Sequence, residues 1–222
     1  MCIRDRRYIA TPTVAKHRLF VWLEKDALPD HQLIAIARDD DYFFGVLHSY
    51  IHEVWSLRLG TSLEDRPRYT PTTTFETFPF PAQPHPPALR EGGMSDANQI
   101  PPLPMDRGLG GEVAAAAAHL HAERHAWLNP PGIAPSDPLL KKLTLTNLYN
   151  ALVDYRAGKT ISREAFPFEG AKFISRLAEL HDALDSAVLR AYGWDDLIPT
   201  LRTPAGDEAV LRRLLAENLR RA

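Results

Sequence analysis

Pro79-Phe80-Pro81-Ala82-Gln83-Pro84-His85-Pro86-Pro87 runs on through Gly92-Gly93 and Pro101-Pro102-Leu103-Pro104 to Gly108, Gly110 and Gly111. Proline has no N–H to give a helix or a ladder, and glycine resists ordering, so this stretch cannot continue either kind of element. Residues 82–110 therefore read as an exposed Pro/Gly-rich linker. It divides the chain into an N-terminal unit, residues 1–81, and a C-terminal unit, residues 111–222.

Patterning differs on the two sides. Upstream, residues 7–11, 18–23 and 32–38 are short β-rich runs stopped by turn residues. A long helical pattern follows over residues 42–59, where Phe43, Val46, Leu47, Ile51, Val54, Trp55 and Leu59 recur at helical spacing before Gly60. The Thr/Phe-rich residues 69–79 read as an edge strand or structured loop. Downstream, helices are expected over residues 112–128, over 138–156 with a break near Thr144–Thr146, over 170–192 and over 207–221, the last capped by Asp207. Gly193 suits the helix end before it. The predicted fold class is α+β, a small mixed strand and helix unit followed by a mostly α-helical part.

Composition narrows the function. The chain has 222 residues, 26 Lys+Arg against 28 Asp+Glu, and 45% hydrophobic residues. A net charge of −2 excludes a polycation that grips nucleic acid by bulk charge. The single cysteine, Cys2, excludes a disulfide framework or a cysteine zinc site within this chain. Apolar runs are too short for a membrane span and no signal peptide is apparent, so a cytoplasmic location without membrane contact is expected.

The catalytic and metal motifs are incomplete. Asn129-Pro130-Pro131 is half of the motif by which amino-group DNA methyltransferases hold a flipped base, but Gly132 stands where a stacking aromatic is needed. It reads as a helix stop. His121 and His125 lie one turn apart but in a His-x-Glu-x-His order with no strong third ligand, so with His119 they read as an exposed polar face. His48 and His52 read as histidines bonded to core neighbours. Asp39-Asp40-Asp41 read as helix-capping charge, with a divalent-ion site as the competing account. Phosphate-binding glycine loops and nucleophile signatures are absent. No catalytic, cofactor-binding or metal-binding residue is assigned.

Two segments carry cations and hydroxyls suited to DNA: Arg4, Arg6, Arg7, Lys16, His17 and Arg18, then Arg66, Arg68 and Tyr69 through Thr74. Resemblance strengthens that reading. Residues 7–18, the segment Ala37-Arg38-Asp39-Asp40-Asp41-Tyr42-Phe43-Phe44-Gly45-Val46-Leu47-His48-Ser49, and residues 69–81 resemble the target recognition domain of the MmeI-like DNA methyltransferases. Residues 142–150, Ala191-Tyr192-Gly193-Trp194 and residues 211–219 resemble the family's C-terminal helical segment. The similarity runs from about Arg7 to the end, apart from the linker and residues 157–169; Met1–Arg6 has no counterpart.

That resemblance implies the C-terminal fragment of an adenine-specific methyltransferase of restriction–modification or phage-defence type. Its S-adenosylmethionine loop and catalytic motif would lie in an upstream methyltransferase domain, so this chain alone is expected to hold no cofactor and to be inactive. The implied partners are double-stranded DNA and that upstream domain. The DNA-binding candidates are Arg7, Lys16, His17, Arg18, Arg68, Thr72 and Thr73. Other readings are a helical protein-interaction module of a larger complex without DNA contact, and a metal-dependent hydrolase using Asp39–Asp41.

Overall fold

The computed structural model describes residues 6–63, 66–81, 109–134, 136–161 and 170–221. Three short strands, β1 (Tyr8–Pro12), β2 (Val21–Leu23) and β3 (Leu33–Ile36), form an antiparallel sheet of order β2-β1-β3. Ile9 stands opposite both Trp22 and Ile36, and Tyr8, Ile9, Ala10 and Thr11 in the central strand are all buried. Polar atoms there are satisfied locally. Tyr8 Oη donates to Ala27 O at 2.6 Å and Thr11 Oγ1 to Leu19 O at 2.8 Å.

The long helical pattern over residues 42–59 is two helices, α1 (Asp41–His48) and α2 (Tyr50–Leu59). Ser49 breaks it with extended backbone at ψ 155. Its hydroxyl donates to Val46 O and accepts from His52 N, so one side chain closes the first helix and caps the second. Apolar periodicity survives such a break, which is why spacing alone reads through it. Asp40 caps α1 by accepting from Phe43 N at 2.8 Å.

Beyond α2 lies a hairpin that periodicity does not reveal, β4 (Thr61–Leu63) and β5 (Arg66–Arg68). Residues 69–79 are not an edge strand. Residues 71–75 make a wide π-helical turn, with Thr74 Oγ1 and Thr74 N both bonded to Thr70 O.

The C-terminal part comprises α3 (Leu109–Leu128), α4 (Leu145–Arg156), α5 (Gly170–Ala191) and α6 (Pro204–Arg221). α3 ends before Asn129-Pro130-Pro131, and the expected break before α4 is real: Thr144 accepts from Asn147 N as N-cap after a single 3-10 turn. Gly193 ends α5 at φ +73. α6 starts three residues earlier than expected, at Pro204, and its first-turn Gly206 N donates to Thr203 Oγ1. Asp207 is thereby released from capping and accepts from Tyr50 Oη at 2.8 Å. The linker lies outside the described residues except Leu109 and Gly110, which belong to α3.

Both parts share one apolar core. Phe44 and Leu47 of α1 join Val113, Ala117 and Leu120 of α3 and Leu177, Leu184 and Val188 of α5. The crossing is close at Gly45, where a Cβ would lie 2.8 Å from Ala117 Cβ and 3.0 Å from Val113 Cγ1. Gly45→Val is expected to cost about 1–3 kcal/mol by overpacking, read as a lower urea midpoint; an unchanged midpoint would mean that the helices part freely.

Candidate functional site

A buried polar network joins the two parts. Arg124 of α3, 2% exposed, donates from Nη2 to Phe20 O at 3.1 Å and from Nη1 to Tyr149 Oη at 3.2 Å. The Phe20 N–H points at His48 Nδ1 at 3.2 Å. His48 Nε2 lies 3.2 Å from Tyr149 Oη, which reaches His181 Nε2 at 2.9 Å. Arg124 Nη1 also stands 2.8 Å from His48 Nε2, which disfavours a second proton on that ring. A parallel chain runs from Leu47 O through the His52 ring to Tyr69 Oη, at 3.0 and 3.1 Å.

Burial above all keeps these imidazoles neutral. It holds His48 and His181 well below the usual histidine range, assisted by Arg124 and Arg202 respectively, and takes His52 down to about 3. Beside the network a cleft of about 100 Å³ is lined by His17, Arg18, Glu53, Arg156 and Arg202 among others. Burial raises Glu53 there to about 7 and neighbouring Asp185, which accepts from Tyr50 N and Arg202, to about 6.

These shifts set a pH profile. Below about pH 6.5 the unfolded chain takes up protons that these three folded-state imidazoles, and His121, which burial lowers to about 4, refuse, and each refusal lowers stability by about 1.4 kcal/mol per pH unit. The raised carboxyls act oppositely, since the folded chain takes up their protons first. That offset ends once the unfolded carboxyls also protonate, near about pH 4. The urea midpoint is expected to fall from about pH 6.5 downward, with the two carboxyls offsetting only part of the loss, and to fall more steeply below about pH 4. A midpoint that rises on acidification would show that the carboxyls dominate.

The seven DNA candidates occupy distinct settings. Arg7 lies 3.9 Å over the Trp22 ring and pairs with Asp41 at 3.0 Å. Arg18 is 6% exposed and bonded to Thr11 Oγ1, Pro12 O and Pro67 O, with burial lowering its guanidinium to about 10. Lys16 is exposed, and both it and half-buried His17 reach Asn150 Oδ1 of α4 at 2.8 Å. Arg68, Thr72 and Thr73 are exposed. Arg66, on the same face of β5 as Arg68, is exposed as well, and so is Arg58. Arg58, Arg66 and Arg68 have no ion pair among the described residues.

The other sequence motifs are structural. Asp39 and Asp40 pair with Arg6 and Arg38, so the aspartate run is held by arginines and a helix N-terminus. Among the described residues, no three histidine, cysteine, aspartate or glutamate side chains gather as a metal site would require. His119 and His125 are exposed as expected, but His121 is half-buried against Phe44 with Nδ1 unpartnered. No described helix is long and apolar enough to cross a membrane.

Sequence reading missed Arg124, Tyr149 and His181, which lie far apart along the chain and carry no shared motif. Arg66 had a signal in its Arg-Pro-Arg setting, which only the hairpin converts into a pair of arginines on one face.

Sheet, hairpin and exposed arginines together occupy a segment with a defined class. Residues 6–82 match the family model of the MmeI target recognition domain. The particular likeness among solved structures is to the Type IIL restriction–modification enzyme MmeI, determined in complex with DNA, at TM-score 0.61 and 18% identity. The match covers 99% of this chain and 22% of that one, so the chain spans about a fifth of the enzyme's length and has its fold over that span. No curated protein matches the chain.

Proposed function

We propose that this chain recognises DNA as the target-reading part of a restriction–modification enzyme. The observation that carries the reading is the exposed arginine pair Arg66 and Arg68, without an ion pair among the described residues, on a hairpin inside the segment that matches a target recognition domain. Lys16, Thr72 and Thr73 are exposed in the same segment. Arginine forks suit phosphates or guanine edges, and threonine hydroxyls suit phosphates. Double-stranded DNA is the partner, met in the cytoplasm. We assign adenine-specific methyl transfer to the full-length enzyme, with S-adenosylmethionine held by a methyltransferase domain outside these residues, since no glycine-rich cofactor loop occurs here.

The test is fluorescence anisotropy of a labelled duplex titrated with the chain at increasing salt. Affinity is expected to fall linearly on a log–log plot as counterions are released. Absence of binding at low salt overturns the reading. Calorimetric uptake of S-adenosylmethionine by the chain would overturn the placement of the cofactor.

A further inference from the structure

We propose that Arg18 is a positioning residue for DNA recognition: its buried guanidinium sets where the β4–β5 hairpin, and with it Arg66 and Arg68, stands against the central sheet. The inference rests on the DNA reading above.

The hairpin needs such a support. Its two strands have three residues each and pair with one another, apart from the three-stranded sheet. An isolated two-stranded hairpin is marginal in water. Its backbone ties to residues 13–15 are few: a single bridge between Val14 and Arg68, Tyr69 N to Thr13 O at 2.8 Å, and Ala15 N to Pro67 O at a long 3.4 Å. Pro67 sits between the two exposed arginines and has no N–H, so its carbonyl is the only backbone group through which it can be held.

Arg18 holds that carbonyl. Nη2 donates to Pro67 O at 3.1 Å, while Nη1 donates to Thr11 Oγ1 at 3.0 Å and to Pro12 O at the end of β1. One rigid, planar group therefore spans from the central strand to the hairpin. The guanidinium also lies 4.9 Å over Tyr69, directly after Arg68, and Tyr69 is fixed in turn by His52. Among the described residues no carboxylate makes an ion pair with Arg18. Its acceptors are neutral, so it acts here through its forked geometry. Lysine cannot reproduce a fork, which makes Arg18→Lys informative.

Arg18→Lys and Arg18→Met are placed in the otherwise unchanged chain and in the Arg66→Ala/Arg68→Ala chain. Each is titrated against labelled short duplexes with a randomised centre. Either substitution is expected to weaken binding at least about tenfold when Arg66 and Arg68 are present, and less than about twofold when they are absent. Backbone amide exchange at Ala15 and Tyr69 is expected to quicken in both Arg18 variants. Equal losses in the two backgrounds would make Arg18 an independent contact, and unchanged affinity in a folded variant would make it merely structural; each overturns the proposal. Should Arg18→Met fail to fold, Arg18→Lys retains the charge and the apolar stem. If the unchanged chain binds no duplex, the DNA reading has failed, and unaltered Ala15 and Tyr69 exchange in Arg18→Lys would then separately refute the positioning role.

Discussion

Arg124→Ala is expected to lower the stability of the folded chain by about 3–5 kcal/mol, the range for a buried large-to-small change that also strands polar partners. Three groups lose a donor at once, or the ordering that it imposes: Phe20 O, Tyr149 Oη and the His48 ring. Phe20 directly precedes β2 and is fully buried, so water cannot replace the lost bond without opening the core. Arg124→Met keeps volume but not the donors and should recover only the cavity share, about 1–2 kcal/mol. Chemical denaturation monitored by tryptophan fluorescence separates the two variants. Equal stability of Arg124→Ala and the unchanged chain would show that the network does not couple the parts.

Arg66→Ala/Arg68→Ala is expected to remove at least about tenfold of DNA affinity while leaving the unfolding midpoint nearly unmoved, because exposed surface arginines contribute little to folding. If both contact phosphates, the slope of log affinity against log salt should fall by about 1.8, at about 0.9 per contact. If they reach base edges instead, the slope stays and discrimination between duplex sequences relaxes at the positions read. Unchanged affinity with unchanged selectivity would move the interface away from β5. The same titration on Lys16→Ala gives the contribution of exposed Lys16, which shares Asn150 Oδ1 with His17 but keeps its ammonium at the surface.

Much of the architecture was legible because it depends on local chemistry. Short β-rich runs bounded by turns, helices ended by Gly193 and by Asn129-Pro130-Pro131, and acidic residues before α1 all follow from backbone preferences read over a few residues. The strand-bearing unit and the helical remainder were distinguishable for the same reason. Misreadings fell where a side chain competes with periodicity. Ser49 splits an otherwise continuous apolar pattern by bonding backward and forward, and Thr203 with Pro204 starts α6 before the residue that looked like its cap.

The candidate site divides differently. The chain's residue order alone determined which segment bears cations and hydroxyls, its resemblance to a DNA recognition domain, and the absence of a Gly-x-Gly-x-x-Gly pattern from these 222 residues. It did not determine which cations face outward. Arg7, Arg18, Arg66 and Arg68 look equivalent in a string of letters, yet Arg7 is laid on Trp22, Arg18 is buried against three carbonyl and hydroxyl oxygens, and Arg66 and Arg68 alternate to the open face of a hairpin. Only tertiary structure makes that choice, because a guanidinium leaves water when enough acceptors converge on it, and here those acceptors come from residues as far apart as Thr11 and Pro67.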